Sequence, residues 1–315
     1  MNMHTDTRTD KPPVSPRALF SEEEFAAISE RNDLRAWWLV ICNYAIVATT
    51  FAVMAIWPNP LAIVAGVIVL GGRQLGFGVL THECGHGTLF RDKRTNEWVG
   101  EWLAAAPTFN NMKAYIRGHL HHHRLAGTDQ DPDLPNYADY PIERARLKRK
   151  LWRDLTGQTG MKQTRGLAQG FANFSRLDGE QRLALMRGAV VNVALLAALA
   201  AVGQAWLYLV WAAAFLTTNR LVSRIRQVAE HGAVPGLYDP DPRRNTRTVL
   251  ANPIERLIFC PLGVNYHLEH HMLASVPIYN LPKMHRILRN KGYYDDVDFP
   301  RGYAELLRRV TAAPA

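Results

Sequence analysis

The chain has 315 residues, a net charge of +9 and three cysteines, Cys42, Cys84 and Cys260, without paired spacing. That length suits one large domain or two ordinary ones, and the cysteine pattern excludes a disulfide framework, thiolate-held zinc and an iron–sulfur centre. The positive balance would suit nucleic acid, yet no nucleic-acid motif accompanies it; the apolar residues lie in a few long runs, so the excess Lys and Arg reads as membrane topology.

Residues 1–20 are polar, proline-containing and aperiodic, which predicts a disordered tail; no apolar core follows a basic start, so no signal peptide is expected. Ser21 and Glu24 form a capping-box pattern that opens a short helix. Its Phe25 and Ile28 fit either a membrane surface or an exposed amphipathic turn. Residues 36–57 are uncharged and long enough to cross a bilayer, Pro58-Asn59-Pro60 turns the chain, and 61–81 returns. Arg73 and Gln74 interrupt the second span, and Arg73 is either functional or a snorkelling side chain. Trp98 to Phe109 is too short to span and reads as a half-inserted segment.

The second apolar region predicts two short crossings, 188–203 and 205–222. The connectors at 58–60 and 203–205 carry no Lys or Arg, whereas the 82–187 loop and the 223–310 tail carry most of them. The pattern predicts an all-α membrane protein of four spans in two hairpins, both termini cytoplasmic, with a helical cap. The domain expected is 21–310.

Three histidine clusters lie on the cap side: His82-Glu83-Cys84-Gly85-His86, His119-Leu120-His121-His122-His123 and His267-Leu268-Glu269-His270-His271. On a helix, positions three and four apart share a face, so each cluster should aim its imidazoles one way. His82, His86, His119, His122, His123, His267, His270 and His271 then offer eight nitrogen ligands, too many for one tetrahedral ion and natural for two. His121 points away from that face. Cys84 reads as a small packing residue, His285 as a surface or packing histidine, and His4 lies in the tail. Glu83, Asp129, Asp131, Asp133, Glu230 and Glu269 stand close enough in sequence to accept second ring N–H bonds, or are solvated loop charges.

HxxxH, HxxHH and HxxHH, in that order and separated by membrane hairpins, resemble the integral-membrane fatty acid desaturase family over roughly residues 36–290. The resemblance implies two iron ions that use O2 to remove two hydrogens from an acyl chain, with the eight histidines as ligands. It implies a further ligand after the last span, for which His231 is the candidate, and an amide at Gln227 holding an iron-bound water. It also implies a lipid or acyl substrate and an external electron donor of ferredoxin, rubredoxin or cytochrome b5 type. Lys148-Arg149-Lys150 would dock that donor, anionic lipid or a phosphorylated acyl carrier. Trp98, Trp102, Phe109 and Tyr115 line a substrate channel or form an interfacial belt.

A hydroxylase or related oxidase would use the same site. A bacterial inner membrane is the expected location. His82-Glu83-Cys84-Gly85-His86 is also an HExxH zinc-protease signature, though a protease would leave six clustered histidines unexplained; a metal transporter is the non-catalytic alternative.

Overall fold

A computed structural model describes residues 15–312. The chain runs through α1 (Glu22–Ser29), α2 (Asp33–Ile56), α3 (Pro60–His86), α4 (Lys93–Trp98) and a π-helix at Val99–Ala105 to α5 (Met112–Leu125). It continues through α6 (Arg144–Leu155), α7 (Gln158–Ala172), α8 (Gly179–Ala201), α9 (Leu207–Leu216) and α10 (Thr218–His231). The last part holds α11 (Pro242–Asn245), α12 (Pro253–Ile258), α13 (His267–Met272), α14 (Leu281–Asn290) and α15 (Tyr303–Arg309). Two short segments, β1 (Ile142–Glu143) and β2 (Thr311–Ala312), pair in parallel.

Helices α2, α3 and α8 are each long and apolar enough to cross a membrane. The turn between α2 and α3 is set locally: Asn59 caps α3 by accepting from Ala62 N, and Pro60 occupies the first helical position, where its missing N–H costs nothing. The span expected at 205–222 is not one helix. Apolar Leu207–Leu216 ends at Thr217 (φ −117°, ψ −85°), and the polar Thr217-Thr218-Asn219-Arg220 run begins α10. The span expected at 188–203 begins earlier, at Gly179, where an Asp178/Gln181 capping box starts α8.

Helix α3 is the mast of the fold, and its glycines let neighbours approach. A Cβ on Gly66 would meet Met54 Sδ at 2.3 Å, one on Gly76 would meet Asn43 Oδ1 at 2.3 Å, and one on Gly72 would lie within 3.0 Å of the Ile258 backbone. On Gly71 it would fall 2.2 Å from Thr218 Oγ1 and 2.7 Å from Asn219 N. Polar side chains seal the same contacts: Thr218 Oγ1 donates to Val67 O at 2.6 Å, Asn219 Nδ2 to Gly71 O at 3.2 Å, and Gln74 Nε2 to Trp211 O at 2.9 Å. These bonds to α3 hold the chain at its Thr217 break.

Arg73 is neither a functional group facing the site nor a snorkelling one. It is buried, and its guanidinium donates to the carbonyls of Arg256 (3.3 Å) and Leu257, capping the C-terminal end of α12.

Ser21 and Glu24 form the expected capping box, and Ile28 is wholly buried rather than set on a surface. Within the expected 1–20 tail, Pro16–Leu19 forms a turn of 3-10 helix and Phe20 is buried in the cap core; residues 1–14 lie outside the described residues. The short segment 98–109 packs on α3 as a π-helix followed by a 3-10 turn, with Val99, Gly100 and Ala104 to Thr108 buried.

Gly71→Ala should therefore lower the detergent-solubilised protein's stability by about 1–3 kcal/mol through overpacking. Gly78→Ala, where a Cβ meets nothing within 4 Å, should leave stability unchanged or raise it slightly. Thermal melting of the two variants checks the pair; equal melting temperatures would contradict the close α3–α10 approach.

Candidate metal centre

The first histidine cluster (box one, His82–His86) closes α3, the second (box two, His119–His123) rides on α5, the third (box three, His267–His271) lies on the six-residue α13, and His231 is the last residue of α10. Their imidazoles converge in two groups. His82, His86, His119, His123 and His270 bring one nitrogen each within 4.8 Å of one another, and His122, His231, His267 and His271 do the same. The clusters do not each aim one way. Neighbours on a helix diverge by about 100°, so His122 and His123 fall into different groups, as do His270 and His271. The HxxHH spacing thus serves both groups from one helix.

In the first group the Nε2 atoms of His82 and His119 are 2.7 Å apart, and those of His119–His123 and His123–His270 are 2.9 Å apart. In the second, His267 and His231 present Nε2 atoms at 3.0 Å. Two ligand atoms at right angles around a metal with bonds of about 2.1 Å sit about 3 Å apart, so the spacing fits a metal's coordination sphere. The buried Nε2 atoms of His86 and His271 have no hydrogen-bond partner, as expected of nitrogens left for an ion.

The opposite ring nitrogens are held by protein. His82 Nδ1 donates to Glu83 Oε1 (2.9 Å), His122 Nδ1 to Asp131 Oδ1 (2.8 Å) and His231 Nδ1 to the Asn245 carbonyl (3.0 Å). Each bond fixes a tautomer with its Nε2 lone pair turned inward. Glu83 also accepts from Thr88 Oγ1 and from Ile278 N at 3.0 Å, so its carboxylate is already occupied by structural partners. That is the arrangement of an orienting group rather than the free general base of an HExxH protease.

Asp131 takes a second bond from the Tyr137 hydroxyl, and the Tyr137 ring stacks on His231 with centroids 4.8 Å apart. Burial alone would raise the Asp131 carboxyl, but bonds from His122, Tyr137 and Asp133 N outweigh it and hold the group below its usual range.

Glu230 Oε1 lies 3.5 Å from His267 Nδ1, too far for a good hydrogen bond, and has no other partner. The link is electrostatic, and Arg226, one turn earlier, pairs with the other Glu230 oxygen at 3.1 Å.

The remaining acidic candidates divide. Asp129 is exposed, and the Asp133 carboxylate lies 3.9 Å from His122 Nδ1. Glu269, expected beside a box-three ring, turns the other way. Fully buried, it accepts from Thr248 Oγ1 (2.5 Å), His285 Nδ1 (2.6 Å) and Tyr294 Oη (2.8 Å), tying α13 to three other segments. His285 is accordingly a buried, bonded residue and not a surface one.

Gln227 is exposed on α10, and among the described residues it makes no hydrogen bond to the histidines. Cys84 is buried in an apolar cluster, as its small-residue reading predicts, and His121 is exposed away from both groups. Tyr115 stacks on His119 (5.5 Å, 10°), whereas Trp98 stands exposed and away from the imidazoles. Asn245 and Thr248 had no legible signal, because their contacts to the site arise from tertiary folding; Thr88 and Tyr137 lie close in sequence to Glu83 and Asp131 but in turns that no motif marks, and Arg226 had a signal, its i,i+4 spacing to Glu230.

Burial pushes His231 and His123 down to about 3, with neighbouring imidazoles adding to the effect. His267, His270 and His271 go the same way for the same reason. These five rings are therefore neutral at physiological pH, the form in which imidazole binds metal.

Residues 58–301 match the model of the family described as fatty acid desaturase. The chain is 26% identical over 272 residues to dihydrorhizobitoxine desaturase of Bradyrhizobium elkanii, covering 80% of this chain and 74% of that protein. It is 26% identical over 305 residues to an sn-1 oleoyl-lipid 12-desaturase of a Picosynechococcus species (85% and 81% covered), and 26% identical over 265 residues to a beta-carotene ketolase of a Paracoccus species (80% and 93% covered). With a family match across most of its length and a histidine-lined site that fits two metal ions, the chain belongs to the fatty acid desaturase family.

Proposed function

We propose that the protein is a multi-pass enzyme of a bacterial inner membrane that introduces a double bond into a fatty acyl chain, using O2, two iron ions and electrons from an external carrier. The observation that carries this reading is the sorting of nine imidazoles into a five-nitrogen and a four-nitrogen group. A nitrogen-only donor set of that size suits a redox-active first-row metal, and it leaves each ion short of six donors. Bound iron would supply the O2-dependent oxidation of an unactivated C–H bond.

The chain's own residues do the rest. His82, His86, His119, His123 and His270 would hold one ion, and His122, His231, His267 and His271 the other. Glu83, Asp131 and the Asn245 carbonyl fix the rings, and Glu230, paired with Arg226, stands beside His267. Burial of His82, His122, His231, His267 and His270 limits the access of bulk water to both groups, as a reactive oxidant requires. Arg73 and the glycines of α3 keep the mast that carries box one in place.

We place α9 with the first part of α10 as a broken fourth crossing, giving two hairpins. The cap and both termini then share the cytoplasmic side, where the Lys and Arg excess belongs.

A second reading is favoured by the ketolase match: the same site would insert oxygen into a small apolar substrate instead of removing two hydrogens. Mass spectrometry of lipids and metabolites from cells with and without the protein, grown with iron, decides. A product two hydrogens lighter supports desaturation, one heavier by an oxygen (CH2 to CHOH) or by an oxygen less two hydrogens (CH2 to C=O) supports the second reading, and the absence of all three would sink both.

Purified protein should contain two irons per chain by elemental analysis. His231→Ala should lower this toward one and abolish turnover, whereas His121→Ala should leave both unchanged. Asp131→Asn, which keeps the shape but loses the carboxylate charge, should weaken metal affinity about 10- to 100-fold, read by chelator competition.

A further inference from the structure

Helix α6 has two unlike ends. At its C-terminal end the following turn packs on the end of α9: a Cβ on Gly160 would fall 2.2 Å from Leu216 O, and one on Gly157 would touch Thr217. Trp152 and Leu155 are exposed there, next to the end of the apolar α9. The N-terminal end of the twelve-residue helix lies about 18 Å away, beside the β1–β2 pair. Between that end and α15 runs an open groove of about 290 Å³. Leu147, Leu151 and Leu307 form its floor, and Arg144, Lys148 and Arg308 form its rim. The three cations are exposed, and none forms an ion pair with a described residue.

From α6, which carries two of the groove's three floor leucines, contacts lead inward. Leu147 belongs to the same buried cluster as Tyr140 and Tyr137. Lys150, on the same helix, stands 5.0 Å over the Tyr140 ring. Tyr140 N donates to the Tyr137 carbonyl at 3.1 Å. The Tyr137 ring stacks on His231 at 22°, and its hydroxyl donates to Asp131, which in turn accepts from His122. Two buried tyrosines thus connect a cationic groove to two members of the four-histidine group.

We propose that this groove is the docking face for an acidic one-electron carrier protein, and that Tyr140 and Tyr137 form the lead from it to His231 and His122. The inference rests on the oxidoreductase reading above and deepens it. Each transfer oxidises the carrier by one electron and reduces one metal ion by one, with no bond made or broken. Two transfers and two protons complete the balance in which O2 and a CH2–CH2 unit become CH=CH and two waters.

Charge and position select the occupant. Three unpaired cations around an apolar floor complement a carboxylate-rimmed protein surface, and such complementarity steers encounter. A bilayer surface would instead take Trp152 and Leu155 at the opposite end of the helix.

The test uses the full-length, metal-loaded protein in detergent and an acidic [2Fe–2S] ferredoxin as probe. The double variant Lys148→Glu/Arg308→Glu should weaken ferredoxin binding about tenfold at low salt by calorimetry and flatten its salt dependence, with metal content and melting temperature unchanged. Tyr140→Leu should leave binding unchanged but slow stopped-flow oxidation of reduced ferredoxin severalfold, and Tyr140→Phe, which keeps the ring, should restore the rate. Unchanged ferredoxin affinity in the charge-reversed protein would overturn the docking face. So would a loss of binding to phosphatidylglycerol vesicles with ferredoxin binding intact, which assigns the groove to anionic lipid. An unaltered transfer rate in Tyr140→Leu removes the tyrosine lead. Wild-type protein that binds and oxidises ferredoxin yet forms no desaturated product would sustain the docking face and overturn the functional reading alone.

Discussion

Neutral imidazole nitrogens held 2.7–3.0 Å apart with their lone pairs converging are the constraint on which the rest of the structure depends. Such nitrogens repel one another unless a cation or a shared proton lies between them, and burial disfavours adding protons. The arrangement persists because the rings are anchored from behind, by Glu83 on His82, Asp131 on His122 and the Asn245 carbonyl on His231. Each anchor stands within 14 positions of its ring, and the fold has to bring the ring–anchor pairs together from segments far apart in sequence. A metal ion then gains from a site whose ordering cost is already met by the protein.

The mast makes that possible. Box one sits at the end of α3, and α3 can carry it only if its neighbours are locked to its sides without bulk. Glycines 66, 71, 72 and 76 allow this, and Thr218 and Asn219 bond to the carbonyls of Val67 and Gly71 that the close approach brings within reach. The same crossing breaks the chain at Thr217 and aims α10 so that its final residue, His231, reaches the second group. A helix running straight on from α9 would have no reason to end there.

Much of this was legible from spacing, and the rest was not for identifiable reasons. Apolar run length marked α2, α3 and α8, and histidine spacing marked which rings could share a helix face. Periodicity gave faces but not partners: it could not tell that His122 and His123 serve different groups, since that depends on where two ions lie relative to one helix. It could not tell that Glu269 turns away from the rings beside it, because Thr248, His285 and Tyr294 claim it from other segments. Run length overreached at 205–222, where the polar Thr217–Arg220 stretch ends the helix that hydropathy alone carries on. Arg73 looked functional or interfacial because its carbonyl partners, at Arg256 and Leu257, lie far off in sequence. Gln227 was placed by resemblance, and in the fold it is exposed on α10.

The two histidine groups also have different supports. The five-histidine group hangs mainly on α3 and α5, with α13 contributing His270. The four-histidine group hangs on α10 and α13, and α13, only six residues long, is fixed through Glu269 to Thr248, His285 and Tyr294 rather than to the mast. Among these helices α5 and α13 alone place rings in both groups, and α5 is largely exposed, with only Met112 and His122 buried. Its placement depends on the Arg117–Glu180 pair at the start of α8 and on the His122–Asp131 bond as much as on packing. His119 and His123 in one group and His122 in the other are therefore positioned together, by a single helix. One exposed helix shared by the two groups thus couples the placement of their rings.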